Sequence, residues 1–275
     1  MGLEQDLDIT QKSEDGMKIL AINSSFRGDN GYTKFLIDKL FEGAAEAGAV
    51  CENINLAYLK INHCIACQVC QTEKHRRKCI HNDDAEMIFS KMKMADIIIF
   101  ATPIYVLDLS SLLKILLERL YFTSEINRFK ITKSGIPFHD IDPSICSKHF
   151  VYLITCDNAS AETTRTAETY FKTYSRFMDT KIVGALVRRT GALVGHGKDR
   201  EKEEIFPAIL KIYDAYNQAG RDLAVLGNIL PSTQRRANKA IVHVPYFLKY
   251  LVKLDFIKKR IDKIIKMTMD TATKR

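Results

Sequence analysis

The 275-residue sequence lacks the features that mark several protein classes. It has no uncharged apolar stretch close to the roughly 18 to 20 residues that a membrane-spanning helix needs. Its first 16 residues are polar and acidic, whereas a secretory signal is apolar, and we expect them to form a flexible leader. With 46% hydrophobic and 27% charged residues, the composition is that of a globular chain with a sizeable core, which excludes a disordered or collagenous protein.

Cysteine is sparse outside one short segment. Of the seven cysteines, four fall between Cys64 and Cys79. An odd, unevenly spaced set without a secretory signal argues against a disulfide framework and for a reducing compartment, where clustered thiols serve metals or redox chemistry. We therefore expect a cytoplasmic protein.

The excess of positive over negative charge lies in the last fifth of the chain. The net charge is +8, and residues 221–275 hold 13 of the 41 Lys and Arg but only 4 of the 33 Asp and Glu, so that the remainder is almost neutral. Residues 246–267 place apolar side chains on one helical stripe and basic ones around it. Such a helix packs on the body or on a second subunit, or it lies on an anionic membrane surface or in a partner's groove. No nucleic-acid-reading motif is present, and we do not expect nucleic acid as a partner.

Short apolar runs alternate with amphipathic helical stretches up to residue 220. The periodicity predicts strands at 17–23, 51–58, 95–101, 150–155 and 182–187. It predicts helices at 32–47, from about 83, at 110–122, at 161–178 and at 202–219, with the last ended by Gly220. This order predicts a doubly wound α/β domain with five parallel strands over residues 17–220, followed by a basic helical extension over 221–275. Ligands of such sheets bind beyond the carboxyl ends of the strands.

Two loops at that edge contain residue types that are suited to ligand binding. The first strand leads through a turn rich in Ser, Gly and Asn, with Arg27, directly into a helix, where N–H groups and the helix dipole favour a phosphate. It matches neither the Walker loop nor the dinucleotide fingerprint, and by itself such a turn is often only a helix cap. After the central strand, the turn Thr102-Pro-Ile-Tyr105 can lay rigid backbone and an aromatic ring against a planar group.

Together these loops resemble a known family. Ser24-Ser-Phe-Arg27 with Gly31-Tyr-Thr33, followed by Thr102-Pro-Ile-Tyr105, is similar to the flavodoxin-like NAD(P)H-dependent FMN reductases, which include the iron–sulfur flavoproteins. The resemblance covers residues 17–194 and implies a flavodoxin-like doubly wound sheet that binds FMN. The family's usual Gly-Ser-Pro-Arg start differs here, and the loop is one residue longer.

The resemblance also implies site residues. The FMN phosphate would be held by Ser25, Arg27, Gly31, Tyr32 and Thr33. The flavin ring would be contacted by Thr102, Pro103, Ile104 and Tyr105, and a turn with Cys156 and Asp157 would close the third side.

The cysteine run Cys64-x2-Cys67-x2-Cys70-x8-Cys79 leaves three alternatives open. Cysteines at this spacing can surround one metal centre, either a [4Fe–4S] cluster or zinc, or they are free thiols near the flavin. The spacing of the first three favours a cluster, whereas the last spacer is longer than is usual. The basic run 74–78 inside this segment is either a solvated loop tip or a docking surface for an acidic electron-transfer partner or a nicotinamide phosphate.

Three histidines are weaker candidates. His63 and His81 flank the cysteine run and are alternative metal ligands. His196, between two glycines after the fifth strand, either lies near the flavin ring or belongs to a mobile connection.

The resemblance implies an oxidoreductase that passes electrons from NAD(P)H through FMN to a quinone, a nitro or azo compound, or an electron carrier. No side chain need act as catalytic acid or base. The alternative is an iron–sulfur flavoprotein in one-electron transfer, with a [4Fe–4S] cluster on the four cysteines. A third hypothesis is a docked module without redox activity. We expect the protein to be a homo-oligomer. Its expected partner is an electron acceptor, which is either a small molecule or a protein.

Overall fold

The computed structural model describes residues 16–194, 203–204, 206–241, 255–259 and 262. Residues 1–15 of the predicted leader lie outside this range, and so does His196. Of the predicted amphipathic helix at 246–267, only 255–259 and 262 are described, and 255–259 are helical. Among the described residues, no helix is both long and apolar enough to cross a membrane.

Strands and helices alternate along the chain as the periodicity predicts. The strands are β1 (Lys18–Asn23), β2 (Val50–Asn55), β3 (Ile97–Tyr105), β4 (Asp108–Leu109), β5 (Ser124–Ile131), β6 (Pro137–Ile141), β7 (His149–Thr155) and β8 (Ile182–Arg188). The helices are α1 (Tyr32–Glu46), α2 (Ala85–Met94), α3 (Ser111–Arg119), α4 (Pro143–Cys146), α5 (Glu162–Phe177), α6 (Ala208–Leu226) and α7 (Pro231–Ala237).

The main sheet has its parallel strands in the order β2-β1-β3-β7-β8. This is the flavodoxin-like order, and it confirms the predicted doubly wound fold. The two-residue strand β4 joins the sheet as an antiparallel partner of the end of β3, which the sequence analysis did not predict. The strand order reverses beside β1, so the chain leaves β1 and β3 in opposite directions at the ligand-binding edge.

The central strand β3 shows why this sheet is covered on both faces. Ile98 and Phe100 point into one core with α2, α3 and α5, whereas Ile97 and Ile99 point into the opposite core with α1 and α6. All four side chains are buried. A strand that is apolar on both faces needs a helical layer on each side, as a parallel sheet requires.

The last long helix corrects a sequence prediction. Gly220 does not end the helix, because α6 continues to Leu226 and is capped by Gly227, whose φ is +69°. A Cβ on Gly220 would lie 1.8 Å from the Leu40 carbonyl oxygen of α1, so this glycine permits close helix packing. The predicted boundary between body and extension at residue 220 therefore falls inside a helix that packs on α1.

A β-hairpin between α3 and β7 was not predicted. Strands β5 and β6 form a separate antiparallel pair, with a register shift between Glu125 and Phe129. The hairpin packs beside the cysteine segment: Gln71 donates to the Ser124 carbonyl at 2.9 Å and accepts from the Ile126 N–H at 3.1 Å. The hairpin thus forms a wall that holds this segment in place.

We predict that Gly220→Ala lowers the free energy of unfolding by about 3 kcal/mol, because the added methyl group forces α6 away from α1. Gly43→Ala should act similarly, since its Cβ would lie 1.8 Å from the Asn217 carbonyl oxygen. Gly135→Ala is the control: it has open space around it, and its positive φ costs about 1 to 2 kcal/mol. Urea unfolding measures all three. Equal losses for Gly220→Ala and Gly135→Ala would contradict the close packing.

Candidate functional site

A polar pocket lies at the carboxyl ends of β1, β3 and β7, as the topology predicts. Nine of the eleven residues predicted to bind the cofactor line it: Ser25, Arg27, Tyr32, Thr33, Pro103, Ile104, Tyr105, Cys156 and Asp157. Thr155 and Gly191 complete the wall, and the cavity has a volume of about 80 Å³. Segments distant in sequence are therefore brought together at one edge of the sheet.

The loop after β1 forms the electropositive end of this pocket. Helix α1 begins after Gly31 and has no side-chain cap, and its first residues, Tyr32 and Thr33, line the pocket. The Arg27 guanidinium carbon lies 5.5 Å from the centre of the Tyr32 ring, which leaves the cation at the same end. An uncapped helix N-terminus beside an arginine is suited to an anion such as phosphate.

Gly31 shapes this loop without lining the pocket. A Cβ at Gly31 would lie 2.8 Å from Ser25 Oγ and 3.4 Å from the Arg27 Cβ. Ser25 Oγ in turn accepts a hydrogen bond from the Arg27 N–H at 3.3 Å. The loop therefore folds tightly around a position where a side chain does not fit.

The turn after β7 is held by hydrogen bonds to the loop after β8. The Gly191 N–H donates to the Cys156 carbonyl at 2.8 Å, and the Ala192 N–H donates to Asp157 Oδ1 at 2.8 Å. Cys156 Sγ donates to the Asn158 carbonyl at 3.3 Å. Burial raises the pKa of the Cys156 thiol, so this residue presents a neutral thiol to the pocket.

Three predicted binding residues have other or additional roles. Gly31 and Thr102 do not line the pocket; Thr102 is fully buried, and its Oγ1 accepts from the Ser110 N–H at 3.0 Å, which fixes the start of α3. The Thr33 hydroxyl is hydrogen-bonded to the Thr155 hydroxyl at 2.8 Å. The sequence analysis missed Thr155 and Gly191, although both lie where predicted strands end and could have been found from the topology.

A second, larger cavity of about 750 Å³ adjoins the first and shares Arg27 and Tyr105 with it. The other residues that line it are Phe26, Val106, Asp108, Leu109, Ser111, Lys114 and Tyr170. Phe26 and Tyr105 are in ring contact, with centroids 5.9 Å apart. Most of this lining is aromatic or aliphatic, so the cavity is suited to a flat organic molecule.

The four clustered cysteines line a small pocket of their own. Cys64, Cys67, Cys70 and Cys79 surround it together with Gln68, His81, Arg119, Tyr121 and Phe122 among others. Ala66 and Gln68 have φ values of +51° and +58°, which are uncommon for residues with a side chain and turn the chain sharply between cysteines. Burial raises the pKa of the Cys70 thiol, and the neighbouring Cys79 and Cys67 raise it further.

The four thiols line the same pocket but are not arranged as ligands of a single metal ion. Among the described residues, no group of three or more Cys, His, Asp or Glu side chains is placed to bind one metal ion. Four thiolates on one zinc would each lie about 2.3 Å from the metal. The zinc alternative therefore gains no support from this geometry, and neither do His63 and His81 as ligands of a single ion. A [4Fe–4S] cluster is a different case, because each cysteine binds a different iron and the sulfur atoms stay further apart.

The cysteine pocket is bounded by a buried ion pair. Arg119 Nη1 donates to Asp83 Oδ2 at 2.7 Å and to the Asn62 carbonyl at 2.9 Å, and both charged side chains are almost fully buried. Asp83 also accepts from the N–H groups of Asn62 and Ala85. Burial favours a higher pKa for Asp83, but these hydrogen bonds outweigh it and lower the pKa to about 2.

The basic run 74–78 is anchored to the hairpin. Arg76 and Arg77 both pair with Glu125 of β5, and Arg77 also lies 3.5 Å from Asp140 of β6. The arginines of the run are therefore held beside the cysteine pocket, whereas Lys74 and Lys78 are exposed. The sequence analysis could not predict this arrangement because it did not predict the hairpin.

Comparison with known proteins gives a family match for the first half of the chain. Residues 17–135 match the family described as NADPH-dependent FMN reductase. An iron–sulfur flavoprotein of Methanocaldococcus jannaschii is 39% identical over 103 residues, which are 38% of this chain and 51% of that protein. An iron–sulfur flavoprotein of Archaeoglobus fulgidus is 33% identical over 103 residues, 38% of this chain and 48% of that protein. The match thus spans about half the length of these curated relatives.

Solved structures resemble the fold over a longer stretch. An FMN-dependent NADH-azoreductase from Bacillus anthracis, in complex with FMN, superposes with a TM-score of 0.52 and 15% identity over 76% of this chain and 99% of that one. A second azoreductase structure from Bacillus anthracis superposes with a TM-score of 0.51 and 14% identity, over 76% of this chain and 98% of that one. At these identities the likeness concerns the fold.

The buried ion pair predicts an acid-dependent loss of stability. Asp83→Asn should lower the free energy of unfolding at pH 7 by about 3 kcal/mol, because it leaves Arg119 without its buried counter-charge. Since the folded pKa of about 2 lies below the ordinary value of 3.8, the stabilisation is present above that value and is lost as the pH falls towards 2.

Urea unfolding of wild type and Asp83→Asn between pH 7 and pH 2 measures this effect. The difference in free energy of unfolding between the two proteins should become smaller as the pH falls. Glu162→Gln is the control, because Glu162 forms an exposed pair with Arg165 and should cost at most about 1 kcal/mol. A gap that stays constant down to pH 2 would show that Asp83 does not titrate as the structure indicates.

Proposed function

We propose that this chain, whose residues 17–135 match the NADPH-dependent FMN reductase family, binds FMN and acts as an NAD(P)H-dependent oxidoreductase. The observation that carries the proposal is the polar pocket at the ends of β1, β3 and β7, which gathers nine of the predicted binding residues. FMN supplies the redox chemistry when bound, accepting hydride from a nicotinamide and passing electrons on. The protein supplies binding, orientation and exclusion of water.

The electropositive end of the pocket would hold the FMN phosphate. Arg27 contributes a cation, and the uncapped N-terminus of α1 contributes the positive end of a helix dipole. Gly31 lets the loop fold tightly against Ser25, which lines the pocket. These features suit a phosphate dianion better than a neutral group.

The carboxyl end of β3 and the turn after β7 would hold the flavin ring. Pro103 limits the backbone freedom at the end of β3, and Ile104 and Tyr105 of the same strand line the pocket beside it. The turn at Cys156 and Asp157 is fixed by its hydrogen bonds to the loop after β8, so it forms a rigid opposite wall. No described side chain in the pocket is needed as a catalytic acid or base in this proposal.

The adjoining 750 Å³ cavity would admit the nicotinamide and the electron acceptor in turn. Its aromatic and aliphatic lining favours a flat, apolar acceptor such as a quinone, a nitro compound or an azo compound. We propose further that the chain works in the cytoplasm as a homo-oligomer, and that any protein acceptor docks near the exposed Lys74 and Lys78.

A second candidate function is one-electron transfer with a [4Fe–4S] cluster on Cys64, Cys67, Cys70 and Cys79. The specific observation in its favour is that the four cysteines line one pocket together with Arg119 and His81, whose buried Nε and Nε2 atoms have no hydrogen-bond partner. The cluster would supply a one-electron store when bound.

Helix α3 connects the two sites. Ser111 at its start lines the large cavity and Arg119 at its end lines the cysteine pocket. At 1.5 Å per residue the two are about 12 Å apart along the helix axis. A rigid helix of this length would keep the two cofactor sites at a fixed separation, which a one-electron relay requires.

For the phosphate end, Arg27→Ala should weaken FMN binding about tenfold or more, because a hydrogen bond to a charged group contributes about 1.5 to 3 kcal/mol. Titration followed by quenching of flavin fluorescence measures the affinity. Riboflavin, which has no phosphate, should bind both proteins equally, and Arg165→Ala on the exposed face of α5 should bind FMN like wild type. Equal loss of FMN and riboflavin would contradict the assignment of Arg27 to the phosphate.

For the cysteine pocket, anaerobic reconstitution with iron and sulfide should load about four iron and four sulfide per chain. Cys70→Ser should lower the load, because Cys70 is the most buried of the four thiols. Cys51→Ser, outside the pocket, is the matched control and should load like wild type. A wild-type protein that takes up FMN but no iron would refute the second candidate function and leave the first standing.

A further inference from the structure

Two residues that line the cysteine pocket each have a buried side-chain nitrogen without a hydrogen-bond partner. These nitrogens are Arg119 Nε and His81 Nε2. A buried polar atom without a partner costs about 1 to 3 kcal/mol. Arg119 Nε is always a donor, and His81 Nε2 is a donor in the tautomer that carries the proton there, so both atoms favour a ligand of this pocket that accepts hydrogen bonds.

The rest of the Arg119 side chain is firmly held. Its Nη1 donates to Asp83 and to the Asn62 carbonyl, so the guanidinium is fixed in orientation while Nε remains unpaired. The positive charge is already balanced by the carboxylate of Asp83 at 2.7 Å. Arg119 therefore contributes an N–H donor to the pocket, while its positive charge is balanced by Asp83.

The pocket already shows the matching type of contact. Gln71 Nε2 lies 3.6 Å from Cys70 Sγ and donates to it, while the same side chain is tied to the hairpin through Ser124 and Ile126. Sulfur of a thiolate or an inorganic sulfide accepts such hydrogen bonds. Hydrogen bonds from N–H donors to sulfur are one of the means by which a protein sets the reduction potential of an iron–sulfur cluster.

We propose that Arg119 and His81 donate N–H···S hydrogen bonds to the iron–sulfur cluster in the cysteine pocket and raise its reduction potential. The inference rests on the second candidate function above. The reduced cluster carries one more negative charge than the oxidised cluster, and hydrogen bonds to its sulfur atoms stabilise that state more. Arg119 and His81 are thus positioning residues that tune the cluster without ligating iron.

The test uses the full chain reconstituted anaerobically with iron, sulfide and FMN. Arg119→Lys keeps a positive charge opposite Asp83 but removes the Nε donor, and His81→Phe removes the other donor with a ring of similar size. Arg76→Lys is the control, because Arg76 is exposed and pairs with Glu125 on the hairpin. The cluster potential is measured by dithionite titration followed by EPR, and iron and sulfide are assayed in every sample.

Each donor removed should shift the oxidised-to-reduced equilibrium about tenfold towards the oxidised cluster, which is about 59 mV for a one-electron couple. Arg76→Lys should leave the potential unchanged. In addition, the Fe–S stretching bands in resonance Raman spectra should shift on transfer to D2O in wild type, and this shift should diminish in Arg119→Lys and in His81→Phe.

The outcomes separate the inference from the function on which it rests. A full iron load with an unchanged potential and an undiminished D2O shift in both variants would overturn the tuning role while the cluster stands. No iron in wild type would overturn the cluster and the tuning role together. If Arg119→Lys fails to fold, His81→Phe alone decides the result, since His81 is not part of the buried ion pair.

Discussion

The structure depends on the buried ion pair between Arg119 and Asp83. Asp83 joins the beginning of α2 to the chain at Asn62, where the cysteine segment starts, and Arg119 ends α3. A buried pair of this kind is costly to break, because either partner alone would be an uncompensated charge. It therefore fixes the cysteine pocket to the end of one particular helix.

The other end of that helix is fixed to the carboxyl edge of the sheet, beside the polar pocket. The Ser110 N–H donates to Thr102 of β3, and the Ser110 hydroxyl donates to the Ser24 carbonyl after β1 at 2.7 Å. Helix α3 thus begins at the ends of β1 and β3 and ends at the cysteine pocket. The proposed FMN site and the proposed cluster site are therefore joined by one helix that is hydrogen-bonded at both ends.

The sequence predicted the parts of the molecule that follow from hydrophobic periodicity. The five parallel strands overlap the apolar runs that predicted them, but β3 continues through residues 102–105, which were predicted as a turn, and β2 ends at Asn55 instead of Tyr58. The pocket lies at the carboxyl ends of the strands because parallel strands bring distant segments to one edge. The hairpin β5–β6 was not predicted, since its apolar residues do not alternate regularly with polar ones and only Ser124 and Ile141 of its two strands are buried. Gly220 was assigned to a helix end because a helical glycine that packs against another backbone looks the same in sequence as a terminator.

The central claim is that one chain offers an FMN pocket and a cysteine pocket at opposite ends of α3. The most direct measurement is the absorption spectrum of the full chain purified without air, recorded together with assays of released FMN, iron and acid-labile sulfide. The account predicts stoichiometric FMN, with iron and sulfide in equal amounts. A colourless protein that does not take up added FMN would contradict it.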